Sequence, residues 1–425
     1  MTMRTILPIA LLLACAATTA QQRDSGLDSG RLARLDELLQ RHVDENRIAG
    51  AVALVMRDGQ TMYERAVGWS DKEARRRMAP DTIFRIASQT KAITSVIALQ
   101  LVEEGRLGLS TAVGRFIPRF QKTTVAVRGE DGVVTSVPAT RPITVRDLLT
   151  HTAGISYGTD PHVSALYEAK GLGPAAGYGW YTADKAEPVC ETMERLASLP
   201  FISQPGEAFV YGYNTDVLGC VVERASGRPL DALIRERITE PLGMRDTSFF
   251  LAPAQRERLA AVYASTADGT IARAPDGARG QGHYVEGPRL NFAGGAGLLS
   301  TARDYARFLE AIRNGGALGT VRILSPRAVS LMTTNQVGTL YRTPGLGFGL
   351  GFEAVERFGA SGMSSVGSYG WGGAYGTRYQ VDPAARLVMV LMIQLLPNTT
   401  DLRETFANVV YQAVLDRNAD GTSPQ

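Results

Sequence analysis

Cysteine and histidine are scarce, with three Cys and four His in 425 residues. Neither clusters, which excludes a zinc-type centre built on Cys and His ligands; no metal or organic cofactor is expected. An excess of one charge is lacking too. The formal net charge is +3 and no dense Lys/Arg run occurs, so nucleic acid is not an expected partner. Beyond the first residues no apolar run is long enough to span a bilayer, and 387–396 reads as a buried strand. Lysine is nearly absent as well: Lys72, Lys91, Lys122, Lys170 and Lys185 are the only ones. A lysine at a chemically telling spacing therefore carries unusual weight.

What is present is ordinary globular composition, 44% hydrophobic and 20% charged, with ample material for a large core. The first 20 residues read as an export signal: Arg4, an apolar stretch at 6–13, then small residues to Ala20. Cleavage before Gln21 gives a periplasmic or secreted protein. Leu12-Leu13-Ala14-Cys15 offers the alternative of a lipoprotein anchored through Cys15, with Leu13 an imperfect fit. After either cleavage Cys190 and Cys220 remain, and an oxidising compartment would permit them to pair.

Helical spacing of Leu32, Leu35, Leu38, Leu39 and Val43 predicts a helix over 31–43. Two strands, 51–56 and 61–67, flank an Arg57-Asp58-Gly59-Gln60 turn. The run 91–104 is apolar on nearly every face, which predicts a buried helix with Ser88 at its mouth. Further on, 302–312 reads as a helix, 348–355, 377–381 and 386–396 as strands, and 402–414 as a closing helix. The expected organisation is a signal at 1–20 and an α/β (α+β) sheet domain from 21–120 and 287–425. A mostly helical cap over 121–286, rich in Gly, Pro and Tyr, would shape the substrate pocket.

A serine hydroxyl is a poor nucleophile until a neighbouring base takes its proton. Ser88-Gln89-Thr90-Lys91 supplies one: three residues apart on a helix, Ser88 and Lys91 share a face. The helix N-terminus adds N–H groups and positive potential for a developing oxyanion. A chance Ser and Lys on a surface helix is the bland alternative, and the apolar run argues against it. Gly154-Ile155-Ser156-Tyr157-Gly158 competes as a Gly-x-Ser-x-Gly elbow. That elbow needs a strand before the serine and a helix after it, with Asp and then His downstream. The residues 145–150 read instead as a helical turn, and neither His162 nor His283 has a convincing context. His42 and His151 read as structural.

Ser-x-x-Lys opening a buried helix resembles the serine β-lactamase and penicillin-binding-protein superfamily. TVRDLLTHTAG at 144–154, PGEAFVY at 205–211, PLGMRDT at 241–247 and GGAGLLSTA at 294–302 also look like its stretches, together spanning about 50–396. The resemblance implies a β-lactamase/transpeptidase-like fold, an antiparallel sheet flanked by helices. It also implies an acyl-Ser88 intermediate with Lys91 beside it. Class C enzymes carry Tyr-x-Asn as their second motif; here Tyr211 takes the tyrosine's place, with Tyr213 where Asn is usual and Asn214 one place late. The third motif, Lys-Thr-Gly, is replaced by Trp371-Gly372-Gly373 followed by Ala374, which resembles family VIII carboxylesterases. A lysine there would attract a substrate carboxylate; Trp371 offers an apolar wall suited to neutral esters. In the family geometry the N–H groups of Ser88 and Ala374 form the oxyanion hole. The expected activity is hydrolysis of small to medium acyl esters, with a small-molecule ester as partner and weak lactam turnover as an accompaniment. The alternatives are a β-lactamase or D-alanyl-D-alanine carboxypeptidase, an acyltransferase, and a non-catalytic binding protein.

Overall fold

The computed structural model describes residues 26–130, 133–173 and 182–415. The expected signal with Cys15 lies outside them, as do Tyr178, Trp180 and Tyr181, cap aromatics for which the sequence leaves both pocket lining and simple packing open. Eight strands make one antiparallel sheet: β1 (Gly50–Arg57), β2 (Gln60–Asp71), β3 (Arg76–Arg77), β4 (Leu346–Phe348), β5 (Glu353–Val355), β6 (Tyr369–Gly372), β7 (Arg378–Asp382) and β8 (Leu387–Met392). Their spatial order is β4-β5-β6-β7-β8-β1-β2-β3. The two ends of the chain meet where β1 pairs with β8, Val52 opposite Met392 and Leu54 opposite Val390.

Alternating side chains send each central strand into two cores. Val52 and Leu54 of β1, with Val388, Val390 and Met392 of β8, join the larger core; Ala51, Ala53, Val55, Leu387, Met389 and Leu391 join the other. A strand buried on both faces must be apolar throughout, so 387–396 carries no polar alternation. The β1–β2 turn also follows from its residues: Asp58 and Gly59 both take positive φ, 49° and 75°, as a tight hairpin turn requires.

Seven helices matter to the site: α1 (Arg34–Asp44), α2 (Thr90–Glu103), α3 (Val145–Leu149), α4 (Val189–Leu196), α5 (Asn214–Ser226), α6 (Ala302–Arg313) and α7 (Leu402–Tyr411). Leu35, Leu38 and Leu39 of α1 and Phe406 and Val410 of α7 fill the smaller core. Helices α2 and α6 fill the larger one, and α2 is buried at every position from Thr90 to Leu101. Among the described residues no helix is long and apolar enough to cross a membrane.

Three expectations are modified. The helix over 31–43 is interrupted at Ala33. The strand over 348–355 is two strands, because Gly349 N–H bonds back to Phe352 O at 2.8 Å and Gly351 takes a φ of 103°. The region 121–286 contains two hairpins, Thr124–Arg128 with Val134–Pro138 and Tyr263–Ser265 with Ile271–Arg273, alongside its helices. Leu148, Val217 and Val221 share the larger core with Ile93 and Val96, so this region is continuous with the sheet's packing.

Cys190 of α4 and Cys220 of α5 form a disulfide across 30 residues. The loop so closed includes Tyr211. Replacing both cysteines by serine is expected to cost about 3–4 kcal/mol by the loop-entropy argument, read as a lower urea midpoint.

Candidate active site

Ser88 lies where a strand turns into a helix. Phe84–Arg85 pairs with Leu299–Ser300, and Ile86 N–H continues the pairing to Leu298 O at 3.1 Å. Ala87 then takes a φ of 43°, a conformation that costs a non-glycine residue roughly 1–2 kcal/mol. This strain immediately precedes Ser88 at the entry to α2. Leu298 N–H donates to Thr90 Oγ1 at 3.1 Å, and Tyr305 OH to Gln89 O at 2.8 Å, so the turn is held from behind.

One helical turn on, Lys91 Nζ donates to Ser88 Oγ at 3.2 Å, Tyr157 OH at 2.9 Å and Gly295 O at 2.8 Å. Three acceptors match the three donors of an ammonium group. Gly295 is fixed in turn: its N–H donates to Asp216 Oδ1 at 3.0 Å, and a Cβ there would stand 2.3 Å from Asp216 Oδ2. Burial pushes the Asp216 carboxyl up, with Lys91 acting against that rise. Tyr157 OH also bonds to Ser88, and burial with Tyr211, Asp216 and Tyr213 nearby holds this phenol well above its ordinary range. It is therefore a neutral hydroxyl between the lysine and the serine.

Tyr211 stands beside the same lysine. Its ring centroid is 4.7 Å from Lys91 Nζ and 5.7 Å from the Tyr157 ring. Its hydroxyl accepts from Trp371 Nε1 at 3.0 Å. Behind it lies the His151 ring, 4.7 Å away between centroids. Burial and the Lys91 charge hold His151 well below its usual range, so the ring is neutral and its Nδ1 accepts from Asn214 Nδ2 at 3.0 Å.

Ser88, Tyr211, Trp371, Gly372, Gly373 and Ala374 line one cavity of about 520 Å³. Strand β6 reaches the Ser88 turn only because of glycine. A Cβ on Gly373 would stand 2.4 Å from Ile86 O and 2.3 Å from Thr377 Oγ1. A roomier cavity of about 730 Å³ lies beside Phe249, Phe250 and Phe292, but no lysine or histidine lines it.

Two residues grouped with the site by sequence lie behind it. Asn214 is fully buried, and its Nδ2 bonds to Ile155 O and Val210 O as well as to His151. It braces the Tyr211 loop and does not line the cavity. Tyr213 OH accepts from Gly173 N–H at 3.1 Å while its ring packs 4.8 Å from that of Tyr157; burial pushes its phenol up to about 12. Tyr167 is fully buried against Gly158 and is likewise packing. Ser156 follows α3 with no intervening strand, and its Oγ accepts Gly158 N–H at 3.1 Å. The strand that a nucleophile elbow needs is missing there.

A family model described as beta-lactamase matches residues 35–413. The chain belongs to the beta-lactamase family. It is 36% identical over 380 residues to Esterase EstB of Burkholderia gladioli, covering 86% of this chain and 91% of that protein. The solved structure of EstCE1, titled a hydrolase with promiscuous acyltransferase activity, superposes with a TM-score of 0.75 at 28% identity, covering 91% of this chain and 99% of that one. Simvastatin Synthase (LovD) from Aspergillus terreus gives a TM-score of 0.73 at 26% identity, covering 91% and 98%.

By the sequence resemblance Trp371 stands where lactam-processing members are expected to carry the lysine of Lys-Thr-Gly. The Trp371 indole takes the space beside Tyr211 and packs 5.4 Å from the Phe348 ring. Tyr157 was hidden from sequence reasoning, which met it only inside the competing Gly-x-Ser-x-Gly run. Its partner Lys91 lies 66 residues earlier, and no spacing rule links them.

Proposed function

We propose that this beta-lactamase-family enzyme is a serine carboxylesterase working through an acyl-Ser88 intermediate. The observation that carries the proposal is the Ser88–Lys91–tyrosine cluster opening into a cavity walled by Trp371. Ser88 Oγ attacks the ester carbonyl carbon while its proton passes to Tyr211 and Lys91, which share it. Backbone N–H groups of Ser88 and Ala374 receive the tetrahedral oxyanion. The alcohol departs with that proton, and water then hydrolyses the acyl-serine by the same steps. Tyr157 orients the attacking oxygen, and Trp371 Nε1 orients the Tyr211 oxygen. Similarity to Esterase EstB supports the ester as substrate class.

The test compares p-nitrophenyl acetate and butyrate with a chromogenic cephalosporin. Esters are expected to be turned over with a kcat/KM at least tenfold above the cephalosporin, the discrimination of about 1.4 kcal/mol or more that a changed pocket wall supplies. Efficient lactam turnover with negligible ester cleavage would overturn the assignment. Acyl transfer is the second reading, favoured by the likeness to EstCE1 and LovD. It differs only in the acceptor, and an added alcohol that diverts the acyl group from water reveals it. We place the enzyme in the periplasm or outside the cell, released by cleavage after Ala20 or anchored through Cys15. The leader sequence and the Cys190–Cys220 disulfide support that placement.

A further inference from the structure

The connection between β5 and β6, residues 356–368, inverts the usual order of burial. Ser364, Ser365 and Ser368 are buried, while Phe358, Met363 and Val366 stand 49%, 47% and 45% exposed. The backbone that presents them is pinned. Ser365 N–H donates to Asp382 Oδ2 at 3.0 Å, Gln380 Nε2 donates to Ser364 Oγ, and Ser364 Oγ donates to Ser361 O at 2.7 Å. Gly367 N–H donates to Val355 O at 2.8 Å, and the Tyr411 hydroxyl holds Asp382 Oδ2 at 2.9 Å. From Phe358 to Trp371 the sequence carries no charge. A lone exposed apolar side chain is ordinary. Three on one fixed loop, turned outward while its serines are buried, make a patch of the kind that meets a partner. The place where the chain leaves the fold says which partner. Gly362 packs against α7, where a Cβ would stand 2.7 Å from Asn408 Oδ1. Leu415, roughly 10 Å further along at helical rise, is 56% exposed and its N–H donates to Gly26 O at 3.0 Å. Leu27 pairs beside it with Val414. The N-terminal segment therefore departs from the same side of the molecule as the patch. Residues 15–25 can hold Gly26 at most about 40 Å from Cys15, the residue that bears lipid in the lipoprotein alternative.

We propose that Phe358, Met363, Val366 and Leu415 form a docking face for a lipid bilayer, with the three loop side chains dipping into the headgroup region. Such contacts gain strength from the apolar area they bury and from attraction to anionic headgroups. Arg357, exposed next to Phe358 and without an ion pair among the described residues, supplies the second. The docked face lies beside the active site. A hollow of about 350 Å³ between Gly362 and Asn408 is lined by Arg378 and Arg403, and both also line the Ser88 cavity. The proposal stands apart from the esterase reading, and its test needs no turnover.

The chain from Gln21 onward, which keeps every described residue and carries no lipid, is mixed with vesicles of phosphatidylethanolamine and phosphatidylglycerol and sedimented. It is expected to travel with the vesicles. Changing Phe358→Ser, Met363→Ser and Val366→Ser together should weaken the partition about tenfold or more, since partition scales with the apolar area inserted. All three side chains are exposed, so the urea midpoint should stay where it is. Bimane attached to Met363→Cys should shift to the blue when vesicles are added, a readout that needs only one surface change. Bimane on Val134→Cys, in the exposed hairpin of the cap, should not shift. Protein that stays in the supernatant overturns the proposal, as does partition that survives the triple change. A blue shift at Val134→Cys and none at Met363→Cys moves the contact to the hairpin and overturns it. Self-association that the triple change abolishes, with no vesicle binding, gives the face to a second copy of the chain and overturns it as well.

Discussion

Ser88→Ala is expected to abolish both ester turnover and covalent labelling by a fluorophosphonate, with kcat falling on the order of 10⁴-fold or more. The group lost is the one atom to which both Lys91 and Tyr157 are directed, so no neighbour can replace it. The fold should persist. Lys91 keeps two of its three acceptors, Tyr157 OH and Gly295 O, and the Ile86–Leu298 pairing behind the turn does not involve the serine side chain. Ser156→Ala is the matched control. Its Oγ holds a local turn through Gly158 N–H, so its removal costs about 1 kcal/mol of stability and leaves labelling largely unchanged. Peptide mapping of the labelled protein distinguishes the two serines. Label retained in Ser88→Ala and lost in Ser156→Ala would move the nucleophile to the elbow.

The parts of this structure that were legible in sequence are those set by local periodicity. A helix apolar on every face had to be interior, and α2 is. The Asp58-Gly59 turn and the doubly buried β8 follow from residue type and alternation. Ser88 and Lys91 meet because three positions along a helix bring side chains together. What stayed hidden depends on contacts between distant segments. Tyr157 reaches Lys91 from a loop with no helical or strand phase, and Gly295 meets it from 204 residues away. Asn214 sits next to Tyr213, close to the motif position, yet helix α5 turns its amide inward to His151, away from the cavity. A shift of one residue on a helix rotates a side chain by about 100°, which sequence spacing alone does not reveal when the helix start is unknown.

Tyr211→Phe and Tyr157→Phe are expected to separate the two phenols that flank the serine. In the proposed cycle the Ser88 proton passes to Lys91 and a phenol acting as one base, and two hydroxyls are at hand to be that phenol. Tyr157 OH accepts directly from Lys91, but burial among Tyr211, Tyr213 and Asp216 keeps it protonated. A hydroxyl held neutral orients an oxygen well and accepts a proton poorly. Tyr211, oriented by the Trp371 indole N–H and stacked on Lys91, is the phenol that shares the proton with Lys91 in the proposed cycle. Tyr211→Phe should therefore lower kcat by about 10²–10⁴-fold, the range for losing a general base. Tyr157→Phe removes one acceptor of Lys91 and one contact of Ser88. Its cost should stay nearer tenfold, the scale of one hydrogen bond. Single-turnover acylation rates with p-nitrophenyl butyrate compare the two directly. A deeper loss in Tyr157→Phe would make Tyr157 the proton acceptor and reduce Tyr211 to a wall of the cavity. If the order is as proposed, Trp371 has a second role besides its apolar face. Its N–H aims the Tyr211 oxygen, so the residue that walls the cavity also supports the proposed ester chemistry.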